Sequence, residues 1–312
     1  MFNYATYLES KGPLDARSLN QRVWDGFVQA LNDQAVHGAK LHASSDRTIR
    51  LVEVGGGIGA MFRRIAAAGL TCNLAYTLVD IEAVNIEHFR SNLEDWLVAL
   101  GYKKAGGDPG RWQSPAGYAL DISVVHEDIH AFIAQQEGSG GWDGLIAQAF
   151  LDLFDLDTFL SELLSLLGSA GVFYFPINFD GITSFLPPAE PSVDMLVESI
   201  YHQSMDDRSR QPALRGRSQS GRHLMQVLSG LPVHLLEIGS SDWVVFPRAG
   251  QYADKDQAFL AHMLRFVAGE LEKSNAIDTD VALQWIANRQ QQLHNNQLML
   301  LVHQLDLLGQ VR

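Results

Sequence analysis

The pattern of apolar residues between positions 49 and 180 alternates five times between a strand-like period and a helix-like period. The expected strands cover residues 49–54, 75–82, 122–129, 142–150 and 171–179. Helical patterns follow the first four of them, at 61–70, 85–101, 130–136 and 156–168. Because parallel strands are joined by right-handed crossovers, this alternation predicts an α/β fold with a parallel sheet and helices on both faces.

Both ends of the chain are expected to be helical. Residues 1–48 are interpreted as an N-terminal helical arm, in which one apolar face is formed by Leu19, Val23, Phe27 and Leu31. The core domain is expected at 49–250. Residues 251–312 are interpreted as C-terminal helices packed on the core, at about 254–273 and 279–308.

The regular alternation ends after residue 180. Residues 180–225 are interpreted as a helical cap inserted after the fifth strand, because a simple connection would need only about 2–6 residues. Two apolar runs at 233–247 flank Gly-Ser-Ser-Asp, which predicts a hairpin.

A glycine-rich loop joins the first strand to its helix, in the sequence Glu53-Val-Gly-Gly-Gly-Ile-Gly59. Glycines at this turn let a ligand approach the backbone, and the helix N-terminus offers free N–H groups. The loop also fits a dinucleotide fingerprint, and a tight turn without a ligand is a further alternative. Glu53 favours a cationic ligand, because a carboxylate at this place would repel a pyrophosphate.

Two acidic residues follow the next strands. Asp80 closes the second strand, where an acid can accept both hydroxyls of a ribose, or can cap the following helix. Asp128 follows the third strand, where it either accepts an adenine amino group or caps the short helix after it.

Together these segments resemble the class I S-adenosylmethionine-dependent methyltransferases of small-molecule type. The resemblance rests on the glycine loop, Asp80, Glu127-Asp128, the fourth strand WDGLIAQAF and the apolar runs at 233–247. It implies a seven-stranded Rossmann-like methyltransferase sheet with S-adenosylmethionine as cofactor, and methyl transfer to O, N or C of a small molecule. The fourth strand ends in AQAF and lacks the Pro-Pro-aromatic pattern of the DNA and protein amide methylases, which argues against a nucleobase or glutamine acceptor.

The resemblance also implies which residues contact the cofactor. The methionine and ribose part would lie against Glu53, Gly55, Gly57 and Gly59, and Asp80 would hold the ribose hydroxyls. The adenine would lie among Ile81, Asp128 and Ile129, and the methyl group would face Ala147 and Gln148. In the arm, Arg17 either pairs with the cofactor carboxylate or lies on a solvated helix face.

The acceptor is expected beyond the fifth strand, because ligands of open α/β sheets bind at the carboxyl ends of the strands. Asp180, His202 and Asp206 are candidate bases for the acceptor proton. Candidate substrate-binding residues are Asn178, Tyr201, Arg208 and Arg222, the arginines suiting an anionic group. The alternatives are a turn at 178–181, a polar helix face at 201–206 and a solvated arginine-rich loop. His303 and Asp306 are interpreted as structural residues on a helix.

Composition excludes several classes of site. The chain has 312 residues and a formal net charge of −13, which disfavours binding to the phosphates of nucleic acid. Its one cysteine, Cys72, leaves no intrachain disulfide and no cysteine-based metal site, and no His-Glu-x-x-His motif occurs, so no metal is expected.

The sequence shows neither a signal peptide nor an apolar run of about 18 residues. We therefore expect a cytoplasmic protein without a membrane partner, monomeric or homodimeric. Two other functions remain open at this point: an NAD(P)-dependent oxidoreductase on a Rossmann fold, and a non-catalytic domain that binds the cofactor and serves as an interaction partner.

Overall fold

A computed structural model describes residues 4–42, 47–136, 141–207 and 218–312. Within these ranges, only the backbone is described at residues 4–5 and 37–42. Ten strands form one sheet. They are β1 (Thr48–Val54), β2 (Asn73–Asp80), β3 (Lys103–Lys104), β4 (Arg111–Gln113), β5 (Ala119–His126), β6 (Trp142–Ile146), β7 (Leu167–Leu186), β8 (Val233–Ser240), β9 (Trp243–Val245) and β10 (Met299–Val311).

The sheet is mixed, and its order is β3-β4-β5-β2-β1-β6-β7-β10-β8, with β9 paired to β10. The five strands β5, β2, β1, β6 and β7 are parallel. Strand β10 is antiparallel to β7, β8 and β9. The expected parallel core is therefore confirmed, and its carboxyl ends meet at one edge.

Helices cover both faces of the sheet. They are α1 (Tyr4–Ser18), α2 (Gln21–His42), α3 (Ala60–Ala67), α4 (Ala83–Ala99), α5 (Ile129–Gln136), α6 (Leu156–Leu164), α7 (Pro191–Asp207), α8 (Ser220–Ser229), α9 (Asp256–Leu271) and α10 (Thr279–His294). Strand β1 shows the division, because Leu51 packs into one core cluster and Val52 into the other. We call the side of α1, α2, α3, α4, α7, α9 and α10 the arm face, and the side of α5, α6 and α8 the α6 face.

The predicted helix at 279–308 is wrong beyond residue 294. Helix α10 ends at His294, and residues 299–311 form β10 between β7 and β8. A strand buried on both faces reads as a nearly continuous apolar run, which periodicity alone does not separate from a buried helix. Asn296 has a φ of 53°, a backbone conformation that often ends helices, and the Asn-Asn pair at 295–296 was the signal for this boundary.

The predicted hairpin at 233–247 is also wrong. Strands β8 and β9 do not pair with each other within the described chain, since both pair with β10, in the registers Ser240↔Leu305 and Trp243↔Val302. His303 and Asp306 consequently lie on a strand and not on the predicted helix. The expected polar loop at 103–117 contains the short strands β3 and β4.

Two further boundaries move. Strand β7 continues to Leu186 because β10 pairs with it as far as Met299↔Leu186, so the cap begins after residue 186 and not at 180. The arm is two helices, which meet at Leu19 and Asn20. Its predicted apolar face is confirmed, since Leu19, Val23, Phe27 and Leu31 are all buried.

Cys72 is buried. Within the described ranges, no helix combines the length and the apolar character that crossing a bilayer requires. The same residues bring together no group of three or more His, Cys, Asp or Glu side chains suited to a metal ion.

Candidate functional site

The glycine loop leaves β1 at the carboxyl edge of the sheet. Gly55, Gly57 and Gly59 have φ of 61°, 53° and 83°, a region that residues with a side chain avoid. A Cβ atom on Gly55 would lie 2.2 Å from the ring of Phe150, so this position requires glycine for space as well. Gly59 precedes the first turn of α3, which directs the N–H groups of that turn toward the edge.

Asp80 holds the loop from the end of β2. Its Oδ2 accepts the Gly57 N–H at 2.7 Å, and its Oδ1 accepts the Glu82 N–H at 2.8 Å and the Asn85 amide at 3.2 Å. The carboxylate thus joins the glycine loop to the start of α4. Asp80 is buried, and each carboxylate oxygen can accept more than one hydrogen bond.

The Glu53 side chain is buried and is not a free negative charge beside the loop. It points to the arm face, is 2% exposed, and accepts a short hydrogen bond from the hydroxyl of Tyr76. Burial raises the pKa of Glu53 to about 8, with a smaller contribution from the charge of Asp80. The expectation that an ionised Glu53 repels a pyrophosphate is therefore wrong, because the group is neutral near pH 7.

The three residues predicted to contact adenine differ in their exposure and contacts. Ile81 is 59% exposed at the end of β2, so its side chain offers a free apolar surface. Asp128 is exposed and caps α5, accepting the His130 N–H at 2.9 Å. Ile129 packs into the core of the α6 face. The helix-cap function considered for Asp128 is therefore observed, and the adenine contact stays a prediction.

At the end of β6, Ala147 is fully buried and Gln148 is engaged by the arm. The Gln148 amide donates to Asp15 Oδ2 at 3.1 Å, and the Trp243 indole donates to Asp15 Oδ1 at 3.0 Å. Lys11 pairs with Asp15 at 3.0 Å and lies 5.3 Å from the centre of the Trp243 ring. Burial raises the pKa of Asp15, and the charge of Lys11 opposes that shift.

We call Lys11, Asp15, Gln148 and Trp243 the arm polar centre. The only sequence signal for it was the spacing of Lys11 and Asp15, four residues apart on one helix. The hydrogen bonds from Gln148, after β6, and Trp243, in β9, are tertiary contacts between segments far apart in the sequence. They place the arm over the carboxyl edge, where Leu8 would lie 3.7 Å from a Cβ atom on Gly57.

Arg17 is paired within the protein. Its guanidinium donates to both carboxylate oxygens of Asp256, at 2.8 and 2.7 Å, and Asp256 is 2% exposed. This bond ties α1 to the start of α9. A cofactor carboxylate would have to share or replace that partner to bind Arg17.

The predicted acceptor residues fall on two faces of the sheet. Asp180 pairs with Arg222 through both carboxylate oxygens and accepts the backbone N–H of Arg222 at 2.9 Å. Asn178 donates to the backbone oxygens of Phe175 and Leu305. Asp180 therefore fixes the beginning of α8 on the α6 face, and Asn178 joins β7 to β10.

The cap residues lie on the arm face instead. Tyr201 is buried there, and the His202 ring lies 5.4 Å from the ring of Phe179. Burial lowers the pKa of His202, with the charge of Asp206 opposing the shift. Asp206 accepts the N–H of Ser218 at 2.7 Å and its hydroxyl at 3.1 Å, which joins the two described ends of the cap. Arg208 lies outside the described residues.

No family model and no curated protein matches the chain. Solved structures are similar to it in shape. They include coclaurine N-methyltransferase bound to N-methylheliamine and SAH, at 11% identity and a TM-score of 0.41, over 89% of this chain and 72% of that one. A geranyl diphosphate C-methyltransferase from Streptomyces coelicolor A3(2) has 9% identity and a TM-score of 0.39, over 90% and 76%. Mycolic acid cyclopropane synthase has 14% identity and a TM-score of 0.38, over 85% and 83%.

Because these TM-scores lie below 0.5, the fold is assigned from the strands of this chain. Five parallel strands in the order β5-β2-β1-β6-β7 are followed by an antiparallel strand, β10, and then by β8. The chain has a Rossmann-like methyltransferase fold. The fold class that the sequence resemblance implies is confirmed, with β10 as the seventh strand in place of the predicted hairpin.

Proposed function

We propose that the protein binds S-adenosylmethionine at the carboxyl edge of β1 and β2 and transfers its methyl group to a small molecule. The observation that carries the proposal is the bond between Gly57 and Asp80, which holds a left-handed glycine loop against a carboxylate. That arrangement offers a ribose an anionic acceptor and a close backbone at the same place.

The residues at this edge fit the parts of the cofactor. Asp80 accepts the ribose hydroxyls through its remaining acceptor capacity, and the exposed side chain of Ile81 packs on the adenine. The methionine end lies along Gly55 and Gly57, toward Gln148 and the arm polar centre. Lys11 and Asp15 there offer opposite charges to the carboxylate and amino groups of that end.

Because the methyl group of a sulfonium is already activated, the main task of the protein is to position the cofactor and the acceptor. When bound, S-adenosylmethionine would supply an activated methyl group for transfer to the acceptor atom, with a neutral thioether as the leaving group. If the acceptor carries a proton, a base must take it. Holding the two reactants in line can supply about 7–11 kcal/mol of such an acceleration.

An NAD(P)-dependent oxidoreductase is the competing function. Dinucleotide-binding sheets of the Rossmann type are built from two parallel halves, in the order 3-2-1-4-5-6. Here the strand beyond β7 is β10, which is antiparallel to it. This antiparallel strand favours S-adenosylmethionine over NAD(P) as the ligand, whereas Glu53, being neutral, does not distinguish the two.

The experiment is incubation of the protein with S-adenosylmethionine carrying a deuterated methyl group and a metabolite extract from the source cells. We expect products that are heavier by one labelled methyl group and that are absent with Asp80→Ala. A matched control is Asp121→Ala, which removes a half-exposed carboxylate of β5 paired with Arg111. An extract without labelled products, together with no binding of the cofactor, contradicts the proposal.

A further inference from the structure

Three polar side chains on the arm face have buried hydrogen-bonding atoms without a partner among the described residues. They are Thr183 Oγ1 on β7, Gln304 Oε1 on β10 and His202 Nε2 on α7, none of which has a hydrogen-bond partner in the part of the chain that the structure describes. Thr183 is 1% exposed and Gln304 is 2% exposed. Buried polar atoms are almost always bonded, so such atoms indicate a group that the protein chain itself does not supply.

Strand register brings the three side chains together. Gln304 pairs with Phe179, and the Phe179 ring contacts His202. Thr183 pairs with Val302, which lies two residues from Gln304 and hence on the same face. The pairing is irregular here, because Phe179 and Thr183 are four residues apart on β7 while their partners Gln304 and Val302 are two apart on β10, so the two polar side chains lie beside a bulge of β7.

The same register connects these atoms to the reaction centre. Val302 pairs with Trp243, whose indole donates to Asp15 of the arm polar centre at 3.0 Å. Gln148, at the end of β6, donates to the other oxygen of Asp15. Strand β10 therefore places Thr183 and Gln304 on the same face of the sheet as the arm polar centre, one strand pairing away from Trp243.

We propose that Thr183, Gln304 and His202 form the subsite for an uncharged hydroxyl- or amide-bearing part of the methyl acceptor. This inference rests on the proposed function and specifies its substrate class. Gln304 Oε1 accepts a hydrogen bond from the ligand, and Thr183 Oγ1 accepts or donates one. Burial lowers the pKa of His202, so its imidazole is neutral near pH 7 and adds no charge.

The charges around the subsite argue against an anionic acceptor. Arg222 is paired with Asp180 on the opposite face of the sheet. Lys11 and Arg289, both buried, are paired with Asp15 and Asp194. An anion placed here would meet no unpaired cation among the described residues of the arm polar centre and the subsite, and burying it would cost more than burying a hydroxyl or an amide.

The test uses Thr183→Val and Gln304→Leu, which remove the polar atoms at nearly constant volume. Removing an unpaired buried polar atom relieves a cost, so the melting temperature should stay equal or rise. Thr77→Val is the matched control, because Thr77 is also a buried threonine in a strand, β2. Its neighbours Tyr76 and Leu78 pack on the arm face, so the Thr77 side chain lies on the α6 face, away from the proposed subsite. Each variant is assayed for S-adenosylhomocysteine affinity and for labelled methyl products from the metabolite extract.

We expect both variants to bind S-adenosylhomocysteine within about twofold of the wild type and to lose about tenfold or more of the methylated product. The product should pass through an anion-exchange resin at about pH 8, where phosphates and carboxylates are ionised. A retained product, or product yields equal to those of the wild type in both variants, overturns the inference. So does a lower melting temperature with unchanged product, which would mean that a structural water occupies the site. If the wild type binds no S-adenosylmethionine, the proposed function itself fails.

Discussion

The Gly57 N–H lies 2.7 Å from Asp80 Oδ2, so one buried carboxylate sets the shape of the glycine loop from the neighbouring strand. This contact joins two residues that are 23 positions apart in the sequence. It also fixes the carboxylate where a ribose bound at the loop would meet it. The loop and its acidic partner therefore act as one unit.

We expect Asp80→Ala to weaken S-adenosylhomocysteine binding by about 1–3 kcal/mol, because ribose hydroxyls lose a charged acceptor and Gly57 loses its partner. Isothermal titration calorimetry measures the change, with Asp121→Ala as the control. The affinity of Asp80→Asn for S-adenosylhomocysteine should fall between those of the wild type and Asp80→Ala, since an amide oxygen still accepts the Gly57 N–H. Unchanged affinity in a folded Asp80→Ala protein would mean that Asp80 only joins the glycine loop to the start of α4.

Glu53 should make the stability of the protein depend on pH. Its pKa in the folded protein is about 8, against 4.5 as the ordinary value, so the folded state binds the proton more tightly. The resulting stability is complete below pH 4.5 and is lost as the pH rises through about 8. The slope for one proton reaches about 1.4 kcal/mol per pH unit.

Glu53→Gln keeps a partner for Tyr76 but removes the titration. We expect its free energy of unfolding to fall less steeply than that of the wild type between about pH 5 and pH 8, measured by denaturant titration. The buried carboxyls of Asp15 and Asp306, whose pKa values burial also raises, remain in both proteins and cancel in the comparison. Parallel curves for the two proteins would show that Glu53 is ionised in the fold.

Arg17 is expected to stabilise the arm without contacting the cofactor. Arg17→Ala leaves the buried carboxylate of Asp256 without its partner, which should lower the free energy of unfolding by about 1–3 kcal/mol. Asp256→Asn in the Arg17→Ala background should recover part of the loss, because the uncompensated charge is gone. Affinity for S-adenosylhomocysteine should not change. A large loss of affinity in Arg17→Ala alone would assign the cofactor carboxylate to Arg17.

Arg222 and His202 should behave differently, because they lie on opposite faces of the sheet. Arg222→Ala removes the partner of Asp180 and should lower the melting temperature by about 2–4 °C while product formation is retained. His202→Phe keeps the ring against Phe179 and should reduce product formation without changing S-adenosylhomocysteine affinity. The reverse pattern would place the acceptor on the α6 face.

Local sequence was sufficient for the parts of the site that depend on neighbours along the chain. The glycine loop, the parallel core and the position of Asp80 follow from strand and helix periods that each span a few residues. Strand β10 was missed because its apolar residues continue the apolar pattern of the preceding helix α10 over residues 298–308. Its position 299–311 is set by pairing with β7 and β8, which lie far away in the sequence.

The arm polar centre could not be predicted for a similar reason. Lys11 and Asp15 read as one helix face, and nothing near them indicates that Trp243 and Gln148 donate to the same carboxylate. The same limit affects Glu53, whose raised pKa depends on burial and, to a smaller extent, on the charge of Asp80, while the hydrogen bond from Tyr76 opposes the shift. The charge of a buried carboxyl such as that of Glu53 therefore depends on neighbours that its own segment of sequence does not show.

Calorimetric comparison of ligands for the wild-type protein tests the central claim most directly. S-adenosylmethionine, S-adenosylhomocysteine, NAD and NADP are titrated into the full chain under one set of conditions. We predict binding of S-adenosylmethionine and S-adenosylhomocysteine, and affinity for NAD and NADP at least about tenfold weaker, which corresponds to about 1.4 kcal/mol. Binding of NAD or NADP that equals or exceeds binding of S-adenosylmethionine would contradict the account.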